Sequence, residues 1–284
     1  MPPLRRTRVL NPPMPEEKEY ILGTHDDEIL RLGLQHRVWR PRALDAWRRA
    51  GFTLGQTIVD LGCGPGYASL DLAEIVGPKG KIISIDKSRR FLDALGAAQR
   101  LRGITNIVSH ELDLNDSALP DVKADGAWAR WVFAFVEKPH DLLTRTAKIL
   151  KSGGVFVIHE YIDYSTWRLA PRLLELEEYV QAVMDSWRAD GAEPDIGLEI
   201  PAWLKELGFE LKSLNPIVDI VPASNFVWEW PKAFIEVGIQ RLVDLGRMKH
   251  ERAHEILLAF AAAETTSGTL MITPTVLEII AVRR

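Results

Sequence analysis

Between Thr57 and Glu160, short β-branched runs alternate with longer stretches whose apolar residues recur every three or four positions. The runs TIVDL (57–61), KIISI (81–85), NIVSHEL (106–112), ADGAWAR (124–130) and GVFVIHE (154–160) predict strands. The stretches between them, through about Val76, near 88–102 and near 138–150, predict helices. This alternation predicts an α/β fold with a parallel sheet covered by helices on both faces. Ligands of such sheets bind outside the carboxyl ends of the strands.

Upstream, Ile29, Leu30, Leu32, Leu34, Val38, Trp39, Leu44 and Trp47 recur at helical spacing, and Pro41 predicts a break with a second helix starting there. Past Tyr161 the pattern becomes mainly helical over 165–190 and 223–264, with two strands near Glu210–Ile217 and Thr275–Val282.

Composition narrows the function classes. The chain has 284 residues, with 35 Lys and Arg against 39 Asp and Glu, a formal charge of −4. A phosphate-neutralising surface needs a basic excess, so no nucleic-acid partner is expected. The longest uncharged run near the end, Ile256–Ala263, is too short to span a bilayer, and residues 1–17 have no apolar stretch of signal-peptide length. One cysteine, Cys63, makes no intramolecular bridge, and the expected location is cytoplasmic. Of nine tryptophans, Trp167, Trp187, Trp203, Trp228 and Trp230 lie past the alternating region, where they predict an aromatic cap suited to a flat or apolar small molecule.

Chemistry concentrates in Ile58-Val59-Asp60-Leu61-Gly62-Cys63-Gly64-Pro65-Gly66-Tyr67, a strand running into a glycine-rich turn and a helix. Glycines there permit positive φ and let a ligand lie against bare backbone. The spacing is G-x-G-x-G, and Tyr67 stands where a dinucleotide fingerprint would place its third glycine. Asp86 ends the second strand about 20 residues on, a feature that NAD enzymes share.

With these motifs the chain resembles the class I S-adenosylmethionine-dependent methyltransferases, whose first motif is an acidic residue followed by h-G-x-G-x-G. The resemblance implies a Rossmann-like sheet, mostly parallel with an antiparallel last strand, under a helical cap. It assigns Asp60, Gly62, Gly64, Gly66 and Lys87 to the cofactor site and Asp86 to the ribose hydroxyls. Asp113 and Leu114 would hold adenine, and Arg130, in Ala129-Arg130-Trp131, would lie at the methionine end facing the acceptor. Leu150-Lys151-Ser152-Gly153-Gly154 matches the family's turn before the fifth strand, with Lys151-Ser152 replacing x-Pro.

More narrowly, Tyr20-Ile21-Leu22-Gly23 followed by Glu28, Arg31-Leu32 and Gln35 is similar to the N-terminal segment of type 11, ubiquinone- and menaquinone-methyltransferase-like enzymes. That implies that Tyr20 covers the cofactor and Gln35 faces the site. The implied organisation is a flexible lead (1–17), cap helices (18–52), an S-adenosylmethionine-binding core (53–162), and lid insertions with the sheet's final strands (163–284).

The implied activity is methyl transfer to a small, apolar or aromatic acceptor, with S-adenosylhomocysteine as product. An acceptor that must lose a proton needs a base. His159, Glu160, His36, Tyr161 and Tyr164 are the candidates. An NAD(P)-dependent oxidoreductase and a non-catalytic methyltransferase-like binding module are the rival readings. His250-Glu251-Arg252-Ala253-His254 fits the zinc pattern H-E-x-x-H, but Lys249 and Arg252 would crowd a metal with like charge, so no metal is expected.

Overall fold

A computed structural model describes residues 26–284. Its elements are α1 (Asp26–Arg49), β1 (Thr57–Leu61), α2 (Tyr67–Val76), β2 (Lys81–Asp86), α3 (Arg89–Arg102), β3 (Ile107–Glu111) and β4 (Ala124–Arg130). They continue with α4 (Pro139–Ile149), β5 (Leu150–Asp163), β6 (Arg168–Ala170), α5 (Leu174–Ala189), α6 (Ile200–Glu206) and β7 (Phe209–Ile217). The last are β8 (Ile220–Pro222), α7 (Glu229–Asp244), α8 (His250–Thr265), β9 (Leu270–Ile272) and β10 (Thr275–Arg283).

Seven strands form one sheet in the order β3-β2-β1-β4-β5-β10-β7, parallel except for β10, which runs antiparallel to both neighbours. The expected Rossmann-like sheet with an antiparallel last strand is therefore present. Its order reverses around β1, which pairs with β2 on one side and β4 on the other. That reversal opens a crevice at the carboxyl ends of these strands.

Two differences from the sequence pattern matter. Helix α1 runs unbroken through Pro41. A proline in a helix interior costs about 3 kcal/mol, and here packing on both sides outweighs it, because Trp39, Ala43, Ala46 and Trp47 are all fully buried. The second difference is a small antiparallel sheet, β6-β9-β8, within regions that read as helical or unstructured.

The core has two layers against the main sheet and a third, aromatic one beside its carboxyl edge. Helix α1 links them, packing on α2 and on α7. Trp47 meets Trp128 edge to face at 5.1 Å beneath the sheet, while Trp39 meets Trp230 at 4.8 Å in the aromatic layer.

Candidate active site

Strand β1 delivers its chain into the glycine turn, where Gly62, Gly64 and Gly66 have φ of 61°, 54° and 82°. Two of these glycines make room for protein. A Cβ on Gly62 would fall 2.6 Å from Val132 Cγ2, and one on Gly66 would fall 2.3 Å from Leu95 Cδ1. Over Gly64 the nearest such atom is Leu32 Cδ1 at 3.9 Å, and its backbone faces a cavity.

Around this turn three carboxylates have separate tasks. Asp60 Oδ2 accepts from the Ser69 hydroxyl at 2.5 Å, fastening α2 to β1. Burial pushes its carboxyl up to about 7, against the Ser69 bond and the charge of Arg130. Asp86 accepts from the Gly64 N–H at 2.8 Å and the Ser88 N–H at 2.9 Å, one on each oxygen. Burial raises its carboxyl while these amides lower it. A carboxylate offers about four lone-pair positions, so both oxygens can still meet a vicinal diol. Asp113 accepts from the Asn115 N–H at 3.0 Å and, with Leu114, lines the far end of the same cavity.

Arg130, at the end of β4, points its guanidinium into this space. Its carbon lies 5.2 Å from the Trp131 ring centre and 5.8 Å from that of Trp128, and one of its NH2 groups sits 3.3 Å from His36 Nδ1. The other nitrogen, NH1, has no hydrogen-bond partner among the described residues. Burial lowers the group to about 10, so it remains a cation at neutral pH. Since Arg130 can only donate, His36 Nδ1 accepts, and His36 Nε2–H donates to Asp71 at 3.1 Å. Desolvation lowers the His36 pKa, the Asp71 bond opposing it, which keeps the ring neutral. Both ring nitrogens of His36 are therefore engaged.

From α1, Arg31 forms a two-pronged pair with Glu28 at 2.7 Å through each contact, donates to Gln35 Oε1 at 3.0 Å and covers Phe234. Gln35 and Lys87 both line the cavity. Tyr20 lies outside the described residues. Tyr67, the residue in the third-glycine position, donates to the Ile29 carbonyl at 3.1 Å. A Cβ on Gly33 of α1 would fall 2.8 Å from the Tyr67 hydroxyl, so that ring pins α1 over the turn.

Beyond Arg130 the walls become aromatic: Trp131, Tyr161, Tyr164, Trp167, Trp187, Trp230 and Phe234. Trp131, Tyr161 and Trp230 hold their rings nearly parallel, with mutual centre distances of 5.5, 5.6 and 6.5 Å. Burial raises the Tyr161 phenol above its ordinary value. Counted to its open mouth, the cavity has about 1480 Å³ of empty space, continuous from Asp86 and Asp113 to these rings.

Several expectations change here. His159 does not reach the cavity: it is fully buried, edge to face with Trp128 at 4.9 Å, with Nε2 3.2 Å from Glu278. Glu160 is likewise buried, behind the wall. Trp203 packs on His140 and Trp228 beside Phe260, both away from the cavity. In α8, His250, Glu251 and His254 are exposed and Arg252 is tied to Glu178 and Glu255. Sequence reasoning gave no role to Phe234 and no sign that Glu28 and Arg31 pair, and only the unusual tryptophan count and the place of Trp131 at the end of β4 hinted at this wall.

A family model described as a methyltransferase domain matches residues 53–205. The chain belongs to this family. Class I architecture and S-adenosylmethionine as cofactor come with that membership, and the turn fits the group, since open space over Gly64 meets the Asp86 carboxylate and an unpartnered arginine N–H. Among relatives, the demethylmenaquinone methyltransferase of Lactococcus lactis is 34% identical over 187 residues, covering 65% of this chain and 68% of that protein. The 2-phytyl-1,4-naphtoquinone methyltransferase of Synechococcus elongatus is 29% identical over 163 residues, covering 57% and 65%. Across these and two other relatives the chain spans 47% to 68% of the relative's length. Among solved structures, geranyl diphosphate C-methyltransferase from Streptomyces coelicolor has the same fold, with a TM-score of 0.55 at 17% identity over 88% of this chain and 80% of that one. The [4+2]-cyclase SpnF also has it, at 0.55 and 16% over 86% and 80%. No helix among the described residues is long and apolar enough to cross a membrane.

Proposed function

We propose that this methyltransferase moves a methyl group from S-adenosylmethionine to a small, flat, largely apolar acceptor. The observation that carries the reading is the single cavity that joins the glycine turn to the aromatic wall through Arg130. The relatives named as demethylmenaquinone and phytylnaphthoquinone methyltransferases support a ring system of that kind.

When bound, S-adenosylmethionine supplies a methyl group on a positively charged sulfur, already activated for in-line displacement. Asp86 would hold its ribose, Asp113 and Leu114 its adenine, and the free N–H groups of Arg130 its carboxylate. The aromatic side chains hold the acceptor against that end and exclude water, effects worth several kcal/mol together. No imidazole serves as base in this reading, because His36 is engaged at both nitrogens and His159 is off the cavity. Tyr161 has no hydrogen-bond partner among the described residues and lines the cavity, so we assign it to orient an acceptor oxygen. The acceptor class is tested by incubating the protein with methyl-labelled cofactor and panels of phenols, reduced quinones, amines and thiols. Label transfer to phenols or reduced quinones supports the reading, whereas transfer confined to amines contradicts it, since Arg130 repels a cation.

A further inference from the structure

Trp131 has a φ of 53°, the left-handed region that a bulky residue rarely occupies. The surrounding contacts explain how it stays there. The Trp131 N–H donates to the His159 carbonyl at 3.0 Å, and the next two amides, of Val132 and Phe133, both donate to Glu160 Oε1, at 2.6 and 2.7 Å. These amides open a short 3-10 turn, Phe133–Phe135, whose first N–H groups have no partner within the turn. Glu160 reaches across from β5 to satisfy them. Its side chain is fully buried and Oε2 has no partner among the described residues, so the whole hydrogen-bonding capacity in use points at this turn.

The turn joins the two halves of the site. Val132 fills the space that Gly62 leaves, on the cofactor side, while the Trp131 ring stacks on Tyr161 and Trp230, on the acceptor side. We infer that Glu160 is a positioning residue, whose carboxyl pins the Trp131–Val132 turn and so sets the aromatic wall in register with the cofactor loop. It touches neither the cofactor nor the acceptor. The role rests on the methyl-transfer reading only for what the wall faces. The ordinary form of the side chain fits the task, since burial raises the carboxyl to about 8 and a neutral carboxyl accepts at Oε1 as an amide would.

Three variants test this: Glu160→Gln keeps an acceptor at the same reach, Glu160→Asp keeps the carboxyl but shortens it, and Glu160→Ala removes it. The near-ultraviolet circular dichroism of the Trp131–Tyr161–Trp230 stack is read without any ligand, with Trp131→Phe as reference for its loss, and S-adenosylhomocysteine affinity is read by calorimetry. Glu160→Gln is expected to retain the stack signal and an affinity within about 3-fold of the parent. Glu160→Asp is expected to lose most of the signal that Trp131→Phe loses, with affinity weakened about 3- to 10-fold. A Glu160→Asp protein with the parent spectrum, or a Glu160→Gln protein without it, overturns the inference. If Glu160→Ala fails to fold, the Gln and Asp pair still decides. A parent protein that binds no S-adenosylhomocysteine contradicts the methyl-transfer reading, while the spectra still judge Glu160.

Discussion

His36 Nδ1 lies 3.3 Å from an Arg130 nitrogen, and this contact turns the histidine into part of the arginine's mounting. Behind it, Asp71 accepts from His36 at 3.1 Å and from Arg40 at 2.7 Å, so a chain of bonds anchors in α2. Arg130 is thereby aimed with NH1 uncommitted among the described residues.

Replacing Arg130 with Met removes that donor while keeping apolar contact with Trp128 and Trp131. Hydrogen bonds to charged groups contribute about 1.5–3 kcal/mol, so S-adenosylhomocysteine affinity should fall roughly 10- to 150-fold by calorimetry. His36→Ala should weaken it less, because Arg130 keeps its charge and loses only its support. Equal affinity of Arg130→Met and parent would remove Arg130 from the cofactor site.

The three glycines of the turn should respond differently to alanine. All have positive φ, which costs an L residue about 1–2 kcal/mol, but only Gly62 and Gly66 would also drive a methyl into protein, 2.6 Å from Val132 and 2.3 Å from Leu95. Gly66→Ala should therefore lower the unfolding midpoint more than Gly64→Ala, overpacking adding about 1–3 kcal/mol. Gly64→Ala should instead show the larger loss of cofactor affinity relative to its loss of stability. Thermal unfolding with and without S-adenosylhomocysteine separates the two effects.

Stability should decline on both sides of a weakly acidic optimum. Glu160 and Asp60 have folded-state values raised by burial to about 8 and about 7, so the folded protein holds protons that the unfolded chain releases. Their contribution is full below the ordinary carboxylate range and is lost as pH rises through 7 and 8. Glu278 is opposite in sign: burial raises it, but bonds from His159, Asn215 and Arg49 outweigh this and hold it at about 2. Its contribution is present above the ordinary carboxylate range and is lost as pH falls toward 2. Unfolding midpoints from pH 3 to 9 check this, and Glu160→Gln should flatten the alkaline limb.

Tyr161→Phe should keep the ring stack on Trp131 and Trp230 while removing the hydroxyl. Cofactor affinity should be unchanged and turnover of a phenolic or quinol acceptor should fall about 10-fold or more, as loss of one orienting hydrogen bond of ~1.5 kcal/mol implies. Steady-state kinetics at saturating cofactor give the comparison, and unchanged turnover would assign Tyr161 to the wall alone.

The cofactor half of the site was legible in the sequence because its residues sit at strand ends, where local spacing fixes them. Asp60, Gly62, Gly64, Asp86 and Asp113 sit at or just past the ends of β1, β2 and β3, and each lines the cavity. The acceptor half depends on distant pairings. Along β5 a rise of about 3.3 Å per residue decides between neighbours, leaving His159 beneath the rings while Tyr161 emerges into the cavity. Nothing in the sequence near Gly33 declares that Tyr67 will pack over it, and the strands β6, β8 and β9 are three residues each, paired across 48 or more positions in β6 with β9 and β8 with β9. Pro41 gave a true local signal that packing of Trp39 and Trp47 overrode.

The central claim is that the Gly64–Asp86 junction binds the adenosyl cofactor, and calorimetric titration of the purified chain with S-adenosylhomocysteine and with NADH tests it most directly. The expected result is one S-adenosylhomocysteine per chain, no NADH binding, and an Asp86→Ala variant weakened by about 1.5–3 kcal/mol. Binding of NADH without S-adenosylhomocysteine, or an Asp86→Ala variant with parent affinity, would contradict it.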